Sequence, residues 1–308
     1  MAPADTATAA AQARAAAGAA GVDVRELHEV AELRQAAWLF QEIWRPAAGS
    51  PPPVTAELLR ALAHAGNYVA GAWARERLAG ACMGFLAWPG GVHGGQAGGA
   101  PGPAGGGLAL HSHIAGVAPG TQRHGVGFAL KAHQRAWALS HGLPLVVWTF
   151  DPLVARNAWF NLTKLAAAAT GYLPDFYGPM TDAINAGEES DRLLVSWRLD
   201  DPRVAAACSG SPSEPDPEAL RAAGATVALD SDAGGLPLAG PTDAELLLVR
   251  VPPDVEGLRE RDPAAARRWR HAVRDTLGGL MADGATVTGF ARDGRYVLQR
   301  PAAGGRSP

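Results

Sequence analysis

The sequence predicts an α/β protein with a mixed sheet flanked by helices, and three observations favour this fold class. Residues 29–44 place apolar side chains about 3.6 residues apart, which is the spacing of an amphipathic helix. Residues 67–74 and 78–88 are apolar and aromatic and are separated by Arg75-Glu76-Arg77, which predicts an antiparallel hairpin. Residues 145–150 (LVVWTF) form a continuous apolar run, as is typical of a strand covered on both faces.

The other elements of the first 200 residues follow from the same patterns. Further strands are predicted at residues 21–27, 108–117 and 191–199. Further helices are predicted from Thr55 onward, at residues 126–141, and from Asp151-Pro152 to about residue 169, with Asp151 as the N-cap and Gly171 as the stop. Residues 89–107 are low-complexity Gly/Pro sequence and are expected to form a flexible surface insert.

Composition divides the rest of the chain. Residues 1–20 are Ala-rich and are expected to form a disordered tail, and residues 201–240, rich in Pro, Gly, Ser and Asp, are expected to form a linker. Residues 241–300 predict a smaller β-α-β-β unit that either packs on the main domain, residues 21–200, or extends its sheet. Its elements are a strand at 245–251, a helix at 263–281 and a hairpin of 285–290 and 296–299 around Asp293-Gly294, followed by a loose tail at 301–308.

Charge and composition exclude several function classes. The formal net charge of -3 argues against a nucleic-acid or anionic-membrane partner, which would require a basic excess. The two cysteines, Cys82 and Cys208, are too few and too far apart for a disulfide framework or a cysteine zinc site. No apolar run approaches the ~18 residues of a membrane span, and the N-terminus lacks the pattern of a signal peptide. We therefore expect a soluble, cytoplasmic protein without a metal.

The most informative motif is QRHGVG, between a predicted strand and a predicted helix. The first N–H groups of a helix have no internal partner, and the helix dipole adds partial positive charge there. Gly125 and Gly127 let an anion approach the backbone closely, because no Cβ stands in the way. Residues 122–128 therefore predict a pyrophosphate cradle, with Arg123 adding a charge at its rim.

Three phosphate-binding patterns compete for this motif. A P-loop would need a Gly-Lys-Ser/Thr ending, which is absent. A dinucleotide fingerprint would need a third glycine where Leu130 stands, although a nicotinamide- or flavin-linked enzyme using the same loop stays open. The third pattern, Gln/Arg-x-x-Gly-x-Gly/Ala after a Val-x-Pro strand end, fits Gln122, Gly125 and Gly127. It resembles the pyrophosphate loop of the GCN5-related N-acetyltransferases (GNAT).

The resemblance to this superfamily covers residues 21–199. The blocks LHSHIAGV, WTFDPLVARNAWFNL, YLPDFYG and DRLLVSW look like a bacterial subgroup of predicted acetyltransferases. The resemblance implies that strands 108–117 and 145–150 splay apart around the pantetheine arm of acetyl-CoA or another acyl-CoA. The residues it implies for binding this cosubstrate are Val117, Ala118, Gln122, Arg123, His124, Gly125, Val126, Gly127, Phe128, Asn157 and Lys164.

One departure from the family concerns the acid that protonates the leaving thiolate. Many members place a tyrosine two residues before the lysine of a Lys-Leu-Gly ending, and this chain has Leu162 there. Either another group supplies the proton, or coenzyme A leaves as the thiolate. Tyr172 and Tyr177 are the nearest candidate replacements, and Tyr177 is our candidate.

The candidate general bases are His111 and His113. They lie two residues apart on a predicted strand and are therefore expected on one face, together with Val117. Histidine titrates in the useful range, so either could accept the proton of an attacking amine. Structural histidines and a two-histidine metal site are the alternatives, and no third metal ligand at a fitting spacing is evident.

The sequence thus predicts an N-acyltransferase that moves a short acyl group from acyl-CoA to a small-molecule amine, with an amino acid as one candidate. The alternative is a non-catalytic acyl-CoA binding or sensing protein that has lost the acid. The basic residues of the last third are expected on a solvated face: Arg259, Arg261, Arg267, Arg268, Arg270 and Arg274. The oligomeric state is left open, with a homodimer as one option.

Overall fold

Two mixed β-sheets flanked by helices make up the protein, which we describe from a computed structural model at residues 3–46, 49–88, 107–121, 124–178 and 189–301. The first sheet and its helices comprise α1 (Pro3–Ala19), β1 (Asp23–Glu26), α2 (Val30–Trp44), α3 (Ala56–His64), β2 (Val69–Ala74), β3 (Arg77–Ala87), β4 (Ala109–Val117), α4 (Val126–Ser140), β5 (Leu145–Phe150), α5 (Ala155–Ala158) with a π-helical turn (Trp159–Lys164), β6 (Ala168–Leu173) and β7 (Arg192–Arg198). The second comprises α6 (Pro202–Cys208), α7 (Pro217–Ala222), β8 (Thr226–Ser231), β9 (Pro237–Ala239), β10 (Leu246–Arg250), α8 (Val255–Arg261), α9 (Pro263–Val273) with a π-helical turn (Arg274–Gly278), α10 (Gly279–Ala282), β11 (Thr286–Ala291) and β12 (Arg295–Gln299).

The first sheet has the strand order β1-β2-β3-β4-β5-β7-β6. Its neighbours are antiparallel except β4 and β5, which run parallel and are connected through α4. This parallel pair is joined at two positions, Leu110 with Val146 and His111 with Val147. Beyond these positions the two strands separate, so the prediction of a mixed, splayed sheet is confirmed.

The second sheet has the order β11-β12-β10-β8-β9 and is also mixed, with β8 and β10 parallel. The predicted β-α-β-β unit is present as β10, the helices α8 to α10, β11 and β12. It does not extend the first sheet. It packs on it, and a single apolar core continues from Leu193 of β7 to Trp269 of α9 and Phe290 of β11.

The prediction that residues 201–240 form a linker is wrong, because this segment contains α6, α7, β8 and β9. Strand β8 pairs with β10 inside the second sheet, and its Ala228 and Leu229 are fully buried. The Pro/Gly/Ser-rich composition reflects the turns between these short elements. Two buried residues in a six-residue strand are too weak a signal to stand out from that background.

The prediction of a disordered tail is also wrong for residues 3–19, because these residues form α1. Alanine has the highest helix propensity, and its small side chain allows a close approach to another helix. Ala9 and Ala13 are buried, and α1 packs against α4. The amide of Gln12 donates to the carbonyl of Ala205 at 3.2 Å, while its Oε1 accepts from Arg135 at 2.7 Å.

The predicted helix at residues 152–169 ends earlier than expected. It consists of α5 and the π-helical turn, in which the N–H of Leu165 donates to the carbonyl of Phe160. Residues 168–173 then form β6, and Gly171 lies inside that strand. The predictions for residues 89–106 and 302–308 lie outside the described residues.

A buried ion-pair cluster joins the two units at the end of β5. Asp151 accepts from the N–H of Leu153 at 2.9 Å and so caps a turn. The prediction that it is the N-cap of the following helix is wrong, because that helix begins at Ala155 and its N-cap is Val154. The carboxylate of Asp151 also accepts from Arg259 at 2.6 Å and from Arg270 at 2.7 Å and 2.8 Å, and all three side chains are buried. Burial alone would raise the pKa of Asp151, but the two guanidinium groups hold this pKa well below its ordinary value. The expectation of a solvated face is therefore wrong for Arg259 and Arg270.

Arg274 is also ion-paired. It donates to Asp191, which follows the β6–β7 loop and is fully buried, and to Glu189. Both clusters connect the helices of the C-terminal unit to loops of the first sheet. Local sequence could not show this, because Asp151 and Arg270 are 119 residues apart.

Candidate active site

The opening between β4 and β5 is the central feature of the site. Ala118 donates its N–H to Ala79 of β3 at 2.8 Å. Because backbone groups alternate in direction along an antiparallel strand, the N–H groups of Val117 and Ala115 point the other way, toward β5. Since β5 pairs with β4 only as far as His111, these N–H groups face the opening.

This geometry corrects the role predicted for Ala118. It is buried, its N–H is bound to β3, and its carbonyl accepts from both the N–H and the hydroxyl of Thr121. Ala118 therefore offers a ligand no backbone donor, whereas Val117 does.

The N-terminus of α4 is the segment for which the sequence predicts the pyrophosphate cradle. Gly125 is the N-cap residue, with a left-handed φ of 84° that favours glycine. The first helical bond runs from Ala129 to the carbonyl of Gly125, so the N–H groups of Val126, Gly127 and Phe128 have no acceptor within the helix. His124 is exposed beside them, and the predictions for Gln122 and Arg123 lie outside the described residues.

Two of the residues implied for coenzyme binding meet on the far side of the cradle. The ammonium group of Lys164 lies 4.6 Å from the centroid of the Phe128 ring. A lysine from the π-helical turn is thereby held near the first turn of α4. Asn157 is half-buried on α5, where its N–H donates to Val154.

The two candidate bases lie together, but on the face opposite Val117. His111 stacks on Phe85 at 5.0 Å between ring centroids, and the centroids of His111 and His113 are 6.0 Å apart. Phe85 packs against the apolar cluster of α2 and α3. Val117 instead faces α4, because a Cβ placed on Gly127 would lie 3.6 Å from its Cγ2.

A β-bulge explains why the predicted shared face is wrong for Val117. Ile114 pairs with Met83 and Ser112 with Gly84, so His113 is the extra residue of β4. One extra residue reverses the alternation of faces along the rest of the strand. Both histidines therefore lie on the α2–α3 face, and Val117 lies on the α4 face.

The environment keeps His111 neutral. Burial first, and then the neighbouring charges of His113 and Lys131, lower the pKa of His111 to about 4. Burial also lowers the pKa of His113, which is the more exposed of the two side chains. Each imidazole is thus in the form that can accept a proton at neutral pH.

The position at which the resemblance leads us to expect a tyrosine acid is buried. Leu162 is 7% exposed and belongs to the main core. The hydroxyl of Tyr172 donates to Asp191 at 2.7 Å, and burial and this carboxylate raise its pKa well above the ordinary value. The hydroxyl proton of Tyr172 is therefore used in a structural hydrogen bond to Asp191.

Tyr177 is placed differently. It is exposed, and its ring makes an edge contact with Phe176 at 4.7 Å. Because Leu193 of β7 pairs with Phe150 of β5, the β6–β7 loop that carries Tyr177 lies at the carboxyl-terminal end of β5, the same edge as the cradle. Its role as the acid stays a prediction.

A polar cluster beneath the opening was missed from the sequence. Lys131 of α4 donates to Ser112 Oγ and to Gln134 Oε1, both at 2.9 Å, and its Nζ lies 3.9 Å from the centroid of the Trp148 ring. Gln134 Nε2 donates in turn to Cys82 Sγ at 3.3 Å. Burial lowers the pKa of Lys131 to about 8. The sequence offered one signal for this residue, namely that lysine is rare: Lys131 is one of two lysines in the chain.

The described part of the chain contains neither a metal-binding cluster nor a membrane-spanning helix. None of its His, Cys, Asp and Glu side chains form a group of three or more that could hold a metal ion. None of its helices is long and apolar enough to cross a membrane.

Comparison with known proteins gives a fold likeness at low similarity. No protein-family model and no curated protein matches the sequence. Similar solved structures include yncA, a putative acetyltransferase from Salmonella typhimurium with its cofactor acetyl-CoA, at 14% identity over 59% of this chain and 95% of that one, with a TM-score of 0.43. Naa20 from Chaetomium thermophilum in complex with a bisubstrate analogue has 16% identity over 57% and 86%, with a TM-score of 0.44. The ribosomal-protein-S18-alanine N-acetyltransferase from Escherichia coli has 12% identity over 58% and 95%, with a TM-score of 0.41.

Proposed function

We propose that this protein is an N-acyltransferase that moves an acetyl or other short acyl group from acyl-CoA to the amine of a small molecule. The observation that carries the proposal is the parallel pair β4–β5, which separates after His111 and Val147, while the end of β4 at Val117 lies beside the glycine-capped start of α4. An open strand edge and an anion cradle at the same edge of a sheet fit a long ligand with a phosphate group at one end.

The coenzyme would be held along this path. The N–H groups of Val126, Gly127 and Phe128 would bind the pyrophosphate, and the dipole of α4 would favour its charge. The pantetheine arm would pair with the strand edge through one of the N–H groups of Val117 and Ala115, which leaves the other for the reacting carbonyl. Lys164, beside Phe128, would approach the phosphates from the π-helical turn.

The reaction requires a neutral amine to attack the thioester carbonyl. A primary amine is mostly protonated near neutral pH, so a base must take its proton, directly or through water. His113 is the better-placed acceptor because it is exposed, whereas His111 is half-buried and stacked on Phe85. The amine would then approach from the α2–α3 face. A strand N–H at the opening, from Ala115 or Val117, would stabilise the developing oxyanion.

The alternative is a protein that binds acyl-CoA without turning it over. The specific observation in its favour is Leu162, which fills the usual acid position with a buried apolar side chain. Such a protein would retain the cradle and the opening, and it would bind the thioester without releasing thiol in any amine mixture.

Thermal unfolding tests the proposal first. The purified protein is titrated with acetyl-, succinyl- and longer acyl-CoA, with NAD and ATP as controls. A ligand at about 100 times its dissociation constant stabilises the native state by ~2.7 kcal/mol, which raises the midpoint measurably. If NAD or ATP raises the midpoint and no thioester does, the acyltransferase proposal is wrong.

Release of free thiol in a panel of amines then separates the enzyme from the sensor. Turnover with any small-molecule amine, reduced by His113→Gln, would support the enzyme. Binding without thiol release across the panel would support the sensor.

A further inference from the structure

Lys131 connects the two strands of the opening from below. Ser112 is one residue beyond His111, and Trp148 is one residue beyond Val147, so both follow the last paired positions of β4 and β5. The ammonium group of Lys131 binds Ser112 and the ring of Trp148 at the same time. It therefore lies at the point where the strands begin to separate.

Within the described residues, the ammonium group of Lys131 contacts only neutral groups. It has two hydrogen-bond acceptors, Ser112 Oγ and Gln134 Oε1, and one aromatic ring, while the side chain is 5% exposed. A buried charge without a carboxylate partner destabilises a fold relative to an apolar side chain of similar length. A purely structural bridge between the strands would be more stable with methionine at this position.

We propose that Lys131 is a positioning residue for acyl transfer, which fixes the width of the β4–β5 opening and places a positive charge beneath the thioester. This inference rests on the proposed function, because the thioester is the ligand that the opening would hold. A positive charge there would favour the oxyanion and the departing thiolate, and this chain lacks the usual tyrosine to protonate that thiolate. Lys131 would act through field and geometry, since its protons are bound to Ser112, Gln134 and the Trp148 ring.

The charge also bears on the candidate bases across the sheet. Lys131 lowers the pKa of His111, after burial and His113. Among the described residues, the titratable groups coupled to Lys131 are Cys82 of β3, on the same face of the sheet, and His111 of β4, on the opposite face. Burial raises the pKa of Cys82, so its thiol is neutral near pH 8 and the charge at this point is that of Lys131.

Spectroscopy of the unmodified protein gives the first test. Because the chain has two lysines, labelling lysine with ¹³C at Cε yields two resonances, and Lys164→Met assigns them in the ligand-free protein. We expect the Lys131 resonance to titrate below the range of ordinary lysines and to move when acetyl-CoA binds. A resonance that shifts with neither pH below 10 nor acetyl-CoA would overturn the proposal.

Kinetics of Lys131→Met and Lys131→Arg give the second test, with Arg135→Met as the control. Arg135 is also a buried cation of α4, but it is bound to the carbonyl of Leu199 and to Gln12, away from the opening. We expect Lys131→Met to lower kcat by about tenfold or more, as loss of an interaction equivalent to one pKa unit would, and Lys131→Arg to recover part of it. The ratio of wild-type to Lys131→Met activity should fall toward one above pH 8, where wild-type Lys131 loses its charge.

The outcomes separate this inference from the proposed function. If wild-type protein releases no thiol with any amine, whether or not it binds acyl-CoA, the proposed function fails. If wild-type protein turns over while Lys131→Met matches Arg135→Met in kcat and in pH profile, only the role of Lys131 fails.

Discussion

Gly127→Asp tests the cradle, because the substitution should maintain or raise the stability of the free protein while it weakens the binding of acetyl-CoA. The described atom nearest to a Cβ at this position is Val117 Cγ2, at an ordinary 3.6 Å. Gly127 is the second residue of α4, whose first turn contains no acid. A carboxylate at this position interacts favourably with the helix dipole and stabilises the folded protein by about 0.3–1 kcal/mol. Replacing a helical glycine stabilises it by roughly a further 0.5 kcal/mol. The free protein should therefore be at least as stable as wild type.

Binding should weaken for electrostatic reasons. Two unit charges about 5 Å apart interact by roughly 3 kcal/mol at an effective dielectric constant of ~20. A carboxylate beside the bound pyrophosphate should therefore weaken acetyl-CoA binding by about 100-fold, and added salt should reduce the difference.

Titration calorimetry and thermal unfolding measure the two effects, with Gly127→Asn and Gly127→Ala as neutral controls. The asparagine variant has the size of the aspartate and no charge, and the alanine variant fits the Gly/Ala alternative of the motif. Equal acetyl-CoA affinity for Gly127→Asp and Gly127→Asn would refute the reasoning, because it would mean that no phosphate lies at the start of α4.

Three further predictions concern the buried carboxylate and the histidines. Asp151→Asn should lower the free energy of unfolding by about 3–5 kcal/mol in urea melts, since Arg259 and Arg270 stay buried without their carboxylate. Because the pKa of Asp151 is lowered on folding from its ordinary 3.8, its contribution is complete above about pH 5 and is lost as the pH falls below 4; a wild-type acid melt as shallow as that of Asp151→Asn would contradict this. His113→Gln should lower kcat by about 10²-fold or more with an unchanged KM for acyl-CoA. His111→Gln should have the smaller effect in the same steady-state assay, and the reverse order would assign the base to His111.

Local sequence predicted the elements around the site because their signals are local. A glycine pair marks the start of α4, the apolar run of residues 145–150 marks β5, and the short turn after Ala74 marks the β2–β3 hairpin. The position of His113 could not be predicted in the same way. No residue of LHSHIAGV marks the bulge, which depends on how β3 and β4 pair.

The remaining errors have tertiary causes. Residues 3–19 have little amphipathic pattern, so their helix is evident only from its contact with α4. In the sequence, Arg259 and Arg270 look like residues of a solvated helix face. Only the structure shows that they bind Asp151, which is more than 100 residues away. Lys131 could have been noted for its rarity, but its environment required the sheet.

The joint between the two sheets has a consequence for how this chain can be divided. The hydroxyl of Tyr296 donates to the carbonyl of Pro152 at 2.8 Å, and the hydroxyl of Thr163 donates to the carbonyl of Phe290 at 2.6 Å. The segment that leaves β5, one wall of the opening, is thus fastened on the C-terminal third as well as on its own sheet. The boundary near residue 200 separates two strand orders but not two autonomous modules. A fragment ending there would lose the partners of Asp151 and the cover of its core, so exchanging or deleting the last third would alter the opening itself.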